Sequence, residues 1–213
     1  PDFRDYAFDV PFPGSVEGQD MINLADLFVH IQVKQGKQKL PYIGPDETMS
    51  NRLGKVFEET NRDWNGEKYD NDEFLATDGR LWTQCFRNIC VKLAEGYILT
   101  GRHGFFASYE AFFRIIDSMA AQHAKWLSYI GTSMASKDCI AKSYLVIKRR
   151  QQDHNGFTHQ DPGFLDHISN KKADVARIYL PPDANCLLSC FDHCIRSRDY
   201  VNVLVTSKHP RPQ

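Results

Sequence analysis

The chain has 213 residues, with 26 basic and 27 acidic side chains and a formal net charge of −1. Interspersed charges of both signs give no footprint for nucleic acid, no apolar run approaches a membrane span, and no signal peptide opens the chain. The length suffices for one large α/β domain with a real core, and six cysteines without a Cys-x-x-Cys pair suit a reducing cytosol.

In chain order, residues 1–19 are punctuated by proline and glycine and read as extended. Residues 20–35 carry Met21, Leu24, Leu27, Phe28 and Ile31 on a helical stripe. Pro41-Tyr42-Ile43-Gly44-Pro45 reads as a short strand and turn, 48–60 as a helix, and 61–79 as a polar surface excursion. From residue 80 the rhythm is regular. A strand over 81–86 and a helix over 88–100 lead to a brief extended piece at Gly104-Phe105-Phe106. The next helix, 108–127, has Tyr109, Phe112, Phe113, Ile116, Met119, His123 and Trp126 on one stripe. Strand 143–148, a polar loop, a helix near 164–170 and strand 175–180 follow. Pro181-Pro182-Asp183 is a stop and N-cap before helix 184–197, and strand 200–205 closes the set. Apolar strands alternating with helices predict an α/β fold with a mostly parallel sheet covered on both faces. The predicted division is a lead-in over 1–79 and an α/β domain over 80–213. A start at Pro1 without Met, and a stop soon after a strand, predict a fragment of a larger enzyme.

The densest chemistry is the segment from Gln152 to Gly163. It holds two imidazoles, two carboxylates and three side-chain amides in a stretch with neither helical nor strand period. A loop of this kind after a strand stands at the mouth of an open α/β sheet, where ligands bind. His159 is the candidate for proton transfer, beside Gln152 and Asn155. His154 has an equal structural reading. His154, His159 and Asp161 lack a third soft ligand for zinc, so no metal site is assigned. Cys186, Cys190 and Cys194 are spaced by four on one helical face and read as small core residues.

The string Leu99-Thr100-Gly101-Arg102-His103-Gly104-Phe105-Phe106-Ala107-Ser108-Tyr109-Glu110-Ala111-Phe112 resembles the phosphoketolases. So do Gln152 to Gly163, Asn170-Lys171-Lys172, Tyr179 to Asn185, and Asp46-Glu47-Thr48-Met49-Ser50-Asn51-Arg52-Leu53. The blocks cover nearly the whole chain in the family's order. The resemblance implies the central, pyrimidine-binding domain of a thiamine-diphosphate enzyme. Such an enzyme cleaves xylulose 5-phosphate, often also fructose 6-phosphate, with inorganic phosphate to acetyl phosphate and an aldose phosphate. It implies a cytoplasmic homodimer whose diphosphate and Mg²⁺ site belongs to a preceding domain, so that this chain alone is inactive. By motif, Tyr109 and Phe112, three apart on a helical face, would hold the aminopyrimidine, with His103 facing the cofactor. Core packing is the rival reading for Tyr109, and a turn role for His103. Ser50, Arg52 and Lys208 would meet the sugar phosphate, Arg52 through a fork suited to phosphate oxygens. Its rival role is a helix-surface ion pair. Gln152, Asn155 and His159 would line the substrate channel.

Two stretches depart from the family. The glutamate that serves N1′ of the aminopyrimidine falls, by counting back from Glu95-Gly96-Tyr97, on Arg87. An arginine cannot accept that proton, and its charge opposes protonation there. Ile147-Lys148-Arg149-Arg150-Gln151 stands where the family has Ser-His-Val-Trp-Arg. A catalytically silent relative, an error in two stretches of the written sequence and a substitute carboxylate are the three explanations. Glu95, the nearest carboxylate, lies about 12 Å along the helix from Arg87, too far for a simple swap. A transketolase-like transferase is a more distant reading.

Overall fold

The computed structural model describes residues 1–34, 40–44, 48–83, 87–100, 103–130, 142–147 and 161–213, with 87–89, 130 and 142–147 as backbone only. A 3-10 turn, Phe3–Tyr6, precedes β1 (Glu17–Gly18), α1 (Asp20–Lys34) and β2 (Tyr42–Ile43). Next come α2 (Lys55–Thr60), β3 (Arg62–Asp63), β4 (Leu75–Ala76), β5 (Leu81–Trp82) and α3 (Arg87–Ile98). The central run is β6 (Gly104–Tyr109), α4 (Glu110–Ile130) and β7 (Lys142–Ile147). The chain then forms α5 (Gly163–Ser169), β8 (Ala176–Tyr179), α6 (Ala184–Arg196), β9 (Val201–Thr206) and β10 (Arg211–Pro212).

Among the described residues, eight strands form one sheet in the order β4-β3-β5-β2-β6-β7-β9-β8. Every neighbouring pair in it is parallel. The register places Tyr109, Ile147 and Thr206 side by side where β6, β7 and β9 finish. All six residues of β6 are buried, because helices cover both faces of a parallel sheet. Phe105, Ala107 and Tyr109 face a core with α1, α2 and α6, where Phe28 and Phe105 have ring centroids 4.9 Å apart and Phe105 and Phe191 5.5 Å. Phe106 points the other way, into a core with α3, α4 and α5 built on Cys90, Ile98, Phe113, Ile116 and Phe164. Each aromatic pair adds about 0.5–1.5 kcal/mol beyond the area it buries.

The helices after residue 80 lie close to their expected places, and Asp183 caps α6 by accepting from the Cys186 amide at 2.7 Å. Cys194 is buried on that helix as a free thiol. Burial pushes its pKa up to about 12, so it stays protonated and behaves as a small core residue. Two expectations change. Residues 48–54 form a turn, not the first half of a helix, because Arg52 has φ 62° in the left-handed region, where an L-residue cannot continue an α-helix. Residues 104–109 are a full central strand rather than a brief extension. Residues 20–43 supply α1 and β2 to this architecture: β2 lies between β5 and β6, and α1 packs into the same cluster as α6.

Candidate active site

Strand β6 passes directly into α4 without a turn, so the backbone of both elements fixes the Tyr109 side chain. This corrects the expectation that Tyr109 and Phe112 share a helical face. Tyr109 is the last residue of the strand, and Phe112 lies in the first turn of α4. The rings still meet, with centroids 6.3 Å apart and planes inclined by 49°. Tyr109 is buried and Phe112 half-buried.

Lys208 follows β9, on the same edge of the sheet. Its Nζ donates to the Tyr109 hydroxyl at 3.0 Å and lies 4.6 Å from the ring centroid. A cation above an aromatic face is held by the ring quadrupole. The pair therefore sets an aromatic surface beside a positive charge at the carboxyl-terminal edge of a parallel sheet, where open α/β folds bind ligands.

The segment carrying Lys208 is anchored by a buried ion pair. Arg211 Nε donates to Asp20 Oδ1 at 3.0 Å, and its Nη2 donates to Asp20 Oδ2 and to the Pro181 carbonyl at 3.3 Å. The Thr206 hydroxyl donates to the same carboxylate at 3.5 Å. Asp20 is fully buried at the start of α1. Burial pushes its carboxyl above the ordinary value, and the hydrogen bonds from Arg211 pull it back.

Ser50 and Arg52 lie on the turn after β2, hence on the same edge as Tyr109. Both are exposed, and Arg52 forms no ion pair among the described residues. The helix-surface ion pair considered for Arg52 is thereby replaced by a guanidinium on an exposed turn. A hollow of 390 Å³ flanks this turn, lined by Met49, Phe57, Arg62 and Phe74 among others; Tyr109 and Lys208 do not line it.

His103 does not join this group. It precedes β6 and so sits at the amino-terminal edge, about 20 Å from Tyr109 at 3.3 Å per strand residue. That edge is not the one that carries Tyr109, Phe112 and Lys208. Burial, with a smaller contribution from Arg198, holds its imidazole below the ordinary histidine value. Glu95, the one substitute carboxylate considered, is engaged elsewhere: its Oε1 lies 2.9 Å from Nδ1 of the buried His123. Arg87 opens α3 after β5, at the carboxyl-terminal edge. Gln152, Asn155 and His159 lie outside the described residues, as do residues 148–151. Asp161 accepts from the Gly163 amide at 2.8 Å and lies 3.6 Å from Arg114 Nε, a helix-starting role.

Sequence reasoning did not find the Asp20–Arg211 pair. A lone acid opening a helix and an arginine near the end of the sequence gave no sign of meeting across 191 positions.

A family model described as D-xylulose 5-phosphate/D-fructose 6-phosphate phosphoketolase matches residues 23–197. A probable phosphoketolase of Clostridium acetobutylicum is 52% identical over 100% of this chain and 27% of its own length. One of Chlorobaculum tepidum is 50% identical over 99% of this chain and 27% of its own length. The chain thus spans about a quarter of the length of these curated relatives. Among solved structures, a mutant transketolase of Pichia stipitis matches the whole chain with a TM-score of 0.71 at 13% identity, over 29% of its own length. The transketolase of Campylobacter jejuni does so with a TM-score of 0.67 at 13% identity, again over 29% of its length. These two likenesses are of fold.

Proposed function

The chain belongs to the D-xylulose 5-phosphate/D-fructose 6-phosphate phosphoketolase family, and from that premise we propose that it is the central, aminopyrimidine-binding domain of a thiamine-diphosphate-dependent carbon–carbon lyase. The full-length enzyme, a cytoplasmic homodimer using Mg²⁺, cleaves xylulose 5-phosphate or fructose 6-phosphate with inorganic phosphate. It yields acetyl phosphate and an aldose phosphate. The observation that carries this reading is the Tyr109–Lys208 pair beside Phe112 on the carboxyl-terminal edge.

The residues suit the cofactor's flat ring in part. Tyr109 and Phe112 are two aromatic groups at one edge, fit to hold an aminopyrimidine. Bound thiamine diphosphate supplies the carbon nucleophile that cleavage requires; its diphosphate and Mg²⁺ are held by another part of the full-length protein. Lys208 and Arg52, with Ser50, offer cations and a hydroxyl to the phosphate of the sugar. The family resemblance assigns Gln152, Asn155 and His159 to the substrate, with His159 moving a proton. The fit fails at N1′ of the ring, where the family's pattern asks for a carboxylate and this chain has Arg87, with Glu95 committed to His123. That mismatch favours a second reading, a catalytically silent phosphoketolase-like subunit that supplies an interface.

One experiment separates the two. Full-length protein with thiamine diphosphate, Mg²⁺, phosphate and xylulose 5-phosphate is expected to release acetyl phosphate. Cofactor bound without product overturns the catalytic reading. Activity that appears only in Arg87→Glu assigns the natural protein to the silent class with its remaining site intact.

A further inference from the structure

Two segments remote in sequence meet at the amino-terminal end of the sheet. The second half of α4 brings Gln122 and Lys125, and the connection from α5 to β8 brings Asn170, Lys171 and Lys172. Between them lies a hollow of 450 Å³ backed by the buried Val175. That volume falls within the range of small-ligand sites, about 300–1,000 Å³.

Its charge is one-sided. Among the described residues, three ammonium groups line the hollow and no carboxylate does. None of the three lysines forms an ion pair among the described residues. Asn170 is oriented by its Nδ2, which donates to the Asp166 carbonyl at 2.7 Å. Like charges gathered around one concavity repel one another, and an anion placed among them removes that repulsion. Lysine binds phosphate as a compact point charge with three donors, and the two amides can hydrogen-bond the body of a ligand. Lysines near helix C-termini also complement the helix dipole. That effect explains cations at these positions but not the convergence of cations from two segments on one hollow whose described lining carries no acid. We propose that this hollow binds a small ligand carrying more than one phosphate group, with Lys125, Lys171 and Lys172 on the phosphates. Asn170-Lys171-Lys172, among the strings that carry the family resemblance, acquires a role on this assignment.

The test is calorimetric titration of the full-length holoenzyme, freed of excess Mg²⁺ and held in saturating inorganic phosphate, with inorganic tripolyphosphate. The wild type is expected to bind. Replacing Lys125, Lys171 and Lys172 together by Gln is expected to weaken binding about tenfold or more, whereas replacing all three by Arg keeps it within about threefold. Citrate, a polyanion without phosphate, is expected to bind more weakly. Absence of binding to the wild type assigns the lysines to dipole complementation alone and overturns the proposal. Equal binding by the triple Gln protein, or by citrate, also overturns it. Should the triple Gln protein not fold, Lys172→Gln on the exposed side chain carries the test; unchanged affinity there overturns it and a loss of about threefold supports it.

Discussion

At one end of the parallel sheet, β6 and β9 finish at Tyr109 and Thr206 while α1 and α4 begin at Asp20 and Glu110. At the other end the same helices finish, and His103, Lys125, Lys171 and Lys172 collect where strands begin. The first end carries the positive ends of helix dipoles, with Asp20 and Glu110 in the first turns. The second carries their negative ends, with cations near them. In a parallel sheet, whether a residue precedes or follows its strand decides which chemistry it joins. His103 and Tyr109 stand at the two ends of β6 and therefore belong to opposite ends of the molecule.

The largest expected effect tests the anchor of the carboxyl-terminal end. Asp20→Ala leaves the Arg211 guanidinium buried without its partner, and loss of one member of a buried ion pair costs about 3–5 kcal/mol. Thermal unfolding of the full-length protein is the measurement, and activity is expected to fall with stability because Lys208 lies on the anchored segment. A loss under about 1 kcal/mol shows that Arg211 finds water or another acceptor, and that the segment is held by other contacts.

Much of this division was legible from the amino acids. The 3.6-residue stripe of α4, the Asp183 cap and the strand–helix alternation after residue 80 rest on local rules, and the structure follows them. The two-residue strands β2 to β5 carry no period, so a sheet extending back before residue 80 was hidden. Tyr109 fell into a helical stripe because Phe105, Phe106 and Tyr109 are apolar on both faces of a buried strand, and such a run gives no alternation to separate it from the helix that follows. His103 precedes β6 whereas Tyr109 ends it, so parallel strands alone put the two at opposite edges. The Asp20–Arg211 pair is a tertiary event between the start of α1 and β10, with no local signature.

The next effect in size sharpens the contrast between affinity and stability. Lys208→Ala removes a charged donor from Tyr109 and a cation from the proposed phosphate site, and hydrogen bonds to charged groups contribute about 1.5–3 kcal/mol. The expected loss in kcat/KM for the sugar phosphate is roughly 10- to 150-fold, mostly in KM, together with a lower melting temperature from the lost bond to Tyr109. A purely structural lysine lowers the melting temperature and leaves KM unaltered. Steady-state kinetics together with a melting curve distinguish the two.

The smallest expected effect concerns the opposite end. His103 has its pKa held below the ordinary value, first by burial and then by Arg198. The folded protein therefore keeps this imidazole neutral where the unfolded chain already takes up a proton. Above the ordinary histidine pKa, about 6.5, both states are neutral and the contribution is fully present. As pH falls below that value the unfolded state gains the proton first, so stability declines until the folded imidazole also titrates. His103→Gln is expected to flatten this acid limb while leaving kcat unchanged. Urea midpoints at neutral pH and on the acid limb, for both proteins, provide the measurement. If kcat falls and the acid limb keeps its slope, His103 acts at the catalytic end after all, and the separation of the two ends of the sheet loses one of its supports.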